Sequence, residues 1–286
     1  MIRIKFIIIL FMAFLSISFN QYYNNARMLS MNSAYTTIGR GYSSVGTNPA
    51  QLGYSKGFSM NLFTFNFGFH NNLLSLKNYN NINGADLDNP YSDKYFKKDN
   101  VLGLLNGNPL TIGFDTRIPL PGLNFSWGQF AVSSNFRLFY EVGLPNALLD
   151  LFLFGNEIGK TYVVDDMFLD VIAVNEFGVS YGKKMDQFSI GATVKYLYGM
   201  LYWGFGASDT SYFTTDFVAF SGEGLYRAEQ GIGGSGIGLD IGFLTDRLSN
   251  DWRFGLSIIN MIGLIRFTPD NLLWQQIDTY GKPTIE

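Results

Sequence analysis

The chain of 286 residues has no cysteine and one histidine. Without cysteine there is no disulfide, no thiolate metal site, no cysteine nucleophile and no cysteine to carry a lipid. A hydrolase of the outer-membrane lipase type needs a base beside a nucleophile. The single candidate base, His70, stands alone at the end of an alternating apolar run and reads as a rim or loop residue. No enzymatic activity, cofactor or metal is therefore expected. Charged residues are only 15% of the chain and the net charge is −3, which excludes the basic face that a nucleic-acid partner requires. Beyond the first 18 positions no apolar run reaches the ~20 residues that a membrane-spanning helix needs. Any membrane residence of that part must be through strands.

What the chain does have is aromatic residues and glycine. Aromatics make up 17%, with 27 Phe and 17 Tyr, a composition that favours strands and interfacial aromatic girdles. The stretch 187–199 sets the pattern. Phe188, Ile190, Ala192, Val194, Tyr196 and Tyr198 alternate with Ser189, Gly191, Thr193, Lys195, Leu197 and Gly199. A strand sends successive side chains to opposite faces, so one face is apolar and the other small or polar. The same alternation recurs at 58–69, 110–117, 129–142, 173–182, 236–243 and 252–267, with a less regular strand near 211–221. This is the dyad of a barrel with lipid outside and a polar lumen. The fold expected is all-β: a transmembrane antiparallel β-barrel with short inter-strand helices.

Two helices break the pattern. One is expected over 92–106, with Ser92 as N-cap and Gly107 as its end. The other covers 145–154, where Pro145 suits a first turn and Gly155 a stop. The second is apolar nearly all round yet too short to span a bilayer; it reads first as a helix packed between strands, with the N-terminal segment as one candidate surface, and second as a gating or ligand-contacting helix in the barrel mouth. Gly231-Ile-Gly-Gly-Ser-Gly236 matches the dinucleotide fingerprint, but that motif needs a helix after it. Here an alternating strand follows, so the glycines are read as small residues of a wall beside a plug.

The N-terminus reads as an export signal: Arg3 and Lys5, an apolar run over 6–15, then Ser16-Ile17-Ser18. Residues 1–18 are taken as a cleaved signal peptide, 19–57 as a separate turn-rich segment, and 58–286 as the barrel. The segment 34–52, ending in Asn48-Pro49-Ala50, resembles the N-terminal hatch of the FadL-like and PorV-related outer-membrane barrels, notably members from Bacteroidetes-type bacteria. Leu144-Pro145 before a leucine run, Gly155-Asn156-Glu157 after it, and the hairpin over 236–267 are similar to that family too. The resemblance implies a hatch folded into the lumen and residence in the Gram-negative outer membrane. It also implies one of two activities. One is a channel for hydrophobic or small organic substrates. The other is a non-transporting barrel that docks or assembles secreted proteins. The partners implied are outer-membrane lipid and either a hydrophobic small molecule or a secretion partner.

The alternation projects Asp115, Arg117, Arg137, Glu141, Glu176, Lys195, Asp240 and Arg253 onto the lumen face. Both signs are present, and unpaired burial would be expensive, so they are read first as a network that pins the hatch to the wall and second as a permeation path. Which charges pair is left open by the sequence. Residues 279–286 do not read as a strand, although bacterial barrels usually close on one. A complete barrel and an N-terminal portion of a longer one both remain open.

Overall fold

A computed structural model describes residues 26–31, 35–248, 251–267, 273–277 and 283–285. The signal-peptide reading of 1–18 lies outside the described residues. About half of the described residues are in antiparallel strands, and eleven of those strands form one sheet. None of the described helices is long and apolar enough to cross a membrane.

The sheet is antiparallel throughout, and its long strands pair in chain order. It opens with β1 (Phe58–Met60) and β2 (Asn66–Asn71), which lie end to end where one strand was expected over 58–69. They pair with β4 (Phe125–Trp127) and β3 (Leu110–Pro119), also end to end. Both breaks have one cause. Pro119 and Pro121 interrupt the second ladder, and the first follows it at 61–65. Asn124 fills the break: its Nδ2 donates to Leu120 O (2.7 Å) and Ser134 O (2.9 Å), and its Oδ1 accepts from Ser134 N.

From there the strands lengthen. β5 (Phe130–Leu144) pairs with both β3 and β4 and then with β7 (Phe168–Lys184). β7 pairs with β8 (Phe188–Ala207), β8 with β11 (Tyr226–Thr245), and β11 with β12 (Gly255–Phe267). β13 (Leu273–Ile277) continues along the edge of β11 past β12, and β14 (Pro283–Ile285) pairs with β13. A strand therefore occupies part of 279–286, which the sequence had not suggested. Among the described residues no strand pairs with the outer edge of β2 or β12.

The two ends of the sheet differ. At one end β7 joins β8 through residues 185–187 and β11 joins β12 through residues 246–254. At the other end the connections are long and carry their own structure. Residues 72–109 hold α2 (Leu76–Ile82), capped by Ser75, and α3 (Lys98–Gly103). The helix expected over 92–106 is thus one short element; Ser92 instead caps a turn, and the Asn-rich stretch taken as loop contains α2. Residues 145–167 hold α4 (Asn146–Phe154), with Pro145 as N-cap, and β6 (Thr161–Val163). Residues 208–225 hold β9 (Tyr212–Thr215) and β10 (Phe220–Glu223). β6, β9 and β10 form a second small sheet, so two long connections are tied together over the same end. α4 packs beside α3 and β6, not against the N-terminal segment: Lys98 lies over the Phe154 ring, and Lys160 pairs with Asp150 at 2.5 Å.

The N-terminal segment meets the polar face of the sheet through its 3-10 elements. It comprises α1 (Ala26–Ser30), a 3-10 turn (Gly41–Ser44) and a 3-10 helix (Pro49–Tyr54). It supplies three of the four members of a buried apolar cluster: Tyr42, Val45 and Leu52 pack on Ala131 of β5.

Candidate functional site

The large sheet is inside out by the standard of a water-soluble protein. Along β8, Ser189 is 0% exposed and Thr193 1%, while Val194 between Thr193 and Lys195 is 62% exposed. The register extends the contrast across the sheet. Val179, Val194, Leu239 and Ile262 form one outward row over four strands. Phe65, Phe67 and Phe69 continue the outward face at the other edge. Monomeric soluble proteins rarely leave apolar patches of more than a few hundred Å² open. Here the covered face is the polar one.

The Asn48-Pro49-Ala50 motif explains how that face is covered. Gly182 stands opposite Gly191, and Gly191 opposite Gly242, a row of three glycines on β7, β8 and β11. The 3-10 helix Pro49–Tyr54 sits directly on this row. A Cβ on Gly191 would lie 2.5 Å from Ala50 N and Pro49 O, and one on Gly182 would lie 2.6 Å from Pro49 O. No side chain fits between backbone and backbone. Asn48 caps the helix by accepting from Ala50 N at 3.0 Å. Its Nδ2 donates to Phe243 O of β11 (3.1 Å) and to Thr36 O (3.0 Å). Pro49 at the first position needs no N–H partner there. Ala50 is the size the row accepts, and Ser189 Oγ donates to Ala50 O at 2.7 Å. Gln51, 1% exposed, ties the segment to itself through Tyr35 O and Thr36 O.

The projected lumen charges separate into four groups. Asp115 and Arg117 of β3, Arg137 of β5 and Glu176 of β7 form the first, with Arg137–Glu176 at 3.3 Å and Arg137–Asp115 and Arg117–Glu176 at 3.8 Å. Lys195 of β8 and Asp240 of β11 form a pair at 2.7 Å, and Asp240 is fully buried. Asn260 of β12 completes the pair. Its positive φ of 53° marks a bulge that turns its backbone N–H onto Asp240 and its Oδ1 onto Lys195, each at 2.7 Å. Together these charges form a belt from β3 to β12. They join wall to wall, so the expected pinning of the hatch by this network is corrected. Glu141 lies apart from the belt and faces His70 of β2 at 3.5 Å, so the histidine is not solitary.

Arg253 of the projected charges holds the N-terminal segment. It donates to Thr37 O (3.1 Å) and Thr245 O (2.9 Å), and its guanidinium lies 4.3 Å from the Tyr54 ring. Lys184 covers the same ring and pairs with Asp246 at 3.3 Å. The Tyr54 hydroxyl beside it, and then Lys184 and Arg253, hold the Asp246 carboxyl below the usual carboxylate range. The segment is therefore seated at the short-turn end.

At the long-loop end the same face opens. Asp170, Tyr202, Arg227 and Glu229 surround a cavity of about 400 Å³ floored by Gly204 and Gly206. Sequence reasoning did not single these residues out: the register skips Met200 on β8 and Gly233 on β11, so Tyr202, Arg227 and Glu229 reach the face of Asp170 against the parity set by Thr193, Lys195 and Asp240. Gly231–Gly236 lies inside β11, with no helix after it, so the dinucleotide reading fails on structure as it did on sequence. These glycines do not touch the plug, however. Gly234 and Gly236 face β12, and the plug meets β11 at Gly242.

A family model described as a family of unknown function (DUF5723) matches residues 49–229. The chain belongs to that family. The match to DUF5723 begins at Pro49 within the seated motif and runs through the glycine row on β7 and β8 to the start of β11. No curated protein and no solved structure gives a match.

Proposed function

We propose that this chain forms the wall of an outer-membrane β-barrel of FadL-like type, with the N-terminal segment seated as a hatch in its lumen. In this reading it serves as a channel for hydrophobic or small organic substrates. The observation that carries the reading is the inversion of the sheet: polar, ion-paired and glycine-lined on the covered side, and apolar and aromatic on the exposed side. Lipid is the solvent that such an outward face suits. The asymmetry of the connections supports it as well. Transmembrane barrels have short periplasmic turns and longer extracellular loops, so the hatch sits on the periplasmic side and the 400 Å³ cavity opens outward. In a bilayer every backbone amide must be paired, so closure requires partners for the outer edges of β2 and β12.

The substrate route in this reading runs from the outer cavity past the ion-paired belt to the hatch. The test is gel mobility of the chain extracted from outer membranes, heated against unheated, followed by solute flux into vesicles. A heat-dependent shift with flux supports the channel. A shift without flux, together with copurification of a secreted protein, favours the docking reading. No shift, persisting when any downstream coding sequence is appended, removes the barrel.

A further inference from the structure

The outward face of β11 and β12 carries one side chain that an apolar band does not explain. Phe243, Ile241, Leu239 and Ile237 stand opposite Leu256, Ile258, Ile262 and Leu264. The next row pairs Ser235 with Arg266, and Tyr198 of β8 and Asn175 of β7 extend it. Arg266 is exposed and has no ion-pair partner among the described residues. From Phe243 to Ser235 the strand rises about 26 Å at ~3.3 Å per residue. Tilted by roughly 45°, it covers about 19 Å of a band roughly 25 Å tall. Arg266 thus lies near the boundary on the long-loop side. An arginine on the lipid face costs least there, about 0–1 kcal/mol, against ~2–4 kcal/mol at mid-depth.

Below it is a shaped surface. Tyr196, Ile237, Leu264 and Ile265 line a groove of about 430 Å³ whose upper end is Ser235 and Arg266. The groove is apolar along its length and cationic at one end, and it is continuous with the exposed apolar face. We propose that it holds a lipid with a phosphate headgroup. The acyl chain lies on Ile237 and Leu264, and the phosphate oxygens accept from the Arg266 guanidinium and the Ser235 hydroxyl. The planar guanidinium fork matches a phosphate bidentately. This inference rests on the membrane reading above.

The test uses the full chain in maltoside micelles and native mass spectrometry. Three probes are titrated: phosphatidic acid, diacylglycerol with the same chains, and inorganic phosphate. Phosphatidic acid is expected to bind roughly tenfold more tightly than diacylglycerol, the gain of one charge-assisted contact. Arg266→Gln should erase that difference. Arg247→Gln, at the short-turn end, should leave it intact, and Leu264→Ala should weaken both lipids. Equal retention of phosphatidic acid by Arg266→Gln overturns the proposal. So does inorganic phosphate binding as tightly as phosphatidic acid, because the site would then be an anion site without a lipid. Heated and unheated gel lanes of the same samples separate the two levels of failure. Loss of the mobility shift in the wild type removes the membrane reading itself. A preserved shift in Arg266→Gln shows that its loss of lipid is not a loss of fold.

Discussion

Gly191→Ala should unseat the hatch. The new methyl would lie 2.5 Å from Ala50 N and Pro49 O. These are backbone atoms, so no rotamer change relieves the overlap. To reach ordinary contact the 3-10 helix Pro49–Tyr54 must rise by about 1 Å, the gap between 2.5 Å and 3.4 Å. That movement stretches the Asn48 bond to Phe243 O from 3.1 Å and the Ser189 bond to Ala50 O from 2.7 Å. Overpacking of this kind costs about 1–3 kcal/mol, and each weakened buried hydrogen bond adds about 1 kcal/mol. The expected loss in seating free energy is about 3–5 kcal/mol, or a factor of roughly 150 to 5000 in the open population. Limited trypsin cleavage after Arg40 and Lys56, followed over time on the chain in vesicles, reads that population. Gly103→Ala is the control, since its Cβ meets nothing within 4 Å. Cleavage of Gly191→Ala at the wild-type rate would refute the idea that the glycine row is a seat.

Four further outcomes follow from the same geometry. Asn48→Ala removes the cap and the bridge to β11; cleavage after Lys56 should rise by an amount reflecting about 1–2 kcal/mol, whereas Asn48→Asp keeps the cap and loses only the donor. Asp240→Ala leaves Lys195 buried without its carboxylate and should lower the urea midpoint by an amount worth about 3 kcal/mol or more, while Lys195→Met with Asp240→Leu together should recover most of it; an equal loss in single and double variants would exclude a coupled pair. Val194→Arg puts a charge on the outward face and should cost about 2–4 kcal/mol at mid-depth, read as failure to float with vesicles; normal flotation would argue that this face is not in lipid. Asp246 has a folded pKa below its unfolded value, so its contribution is present above about pH 4 and is lost as pH falls through the lower folded value. Protection of the hatch from an acid-active protease should therefore decline below pH 4 in the wild type and be pH-independent over that range in Asp246→Asn.

The alternation at 187–199 was enough to place β8, because a period of two assigns each side chain to a face whatever the partner strand. The same holds for β5 and β11. It held even for the glycine run at 231–236, whose alternating continuation already spoke against a helix. Local rules also placed α4, since Pro145 and Gly155 bound an apolar run. They failed at α3, where the extended signal over 92–106 yielded a turn and then a short helix, and at α2, where Asn residues masked a capped helix. Polar composition says little about six or seven residues that Ser75 can start by itself.

The projected charges show the remaining limit. From sequence each could be assigned a face but no partner, because pairing depends on register. One-residue shifts in register exchange faces, while two-residue shifts preserve faces and exchange partners. Only the assembled sheet brought Arg137 between Asp115 and Glu176, set Lys195 against Asp240, and left Glu141 to His70. Only the bulge at Asn260 supplied the third member of the Lys195–Asp240 site. Only tertiary packing set Gly182, Gly191 and Gly242, from positions up to 60 residues apart, in the single row that receives Asn48-Pro49-Ala50. The sequence by itself determined the long strands and, away from bulges, their faces, since these follow from the backbone period. The partners, the seat and the belt were decided by register and by contact between segments far apart in the chain, and no local preference encodes either.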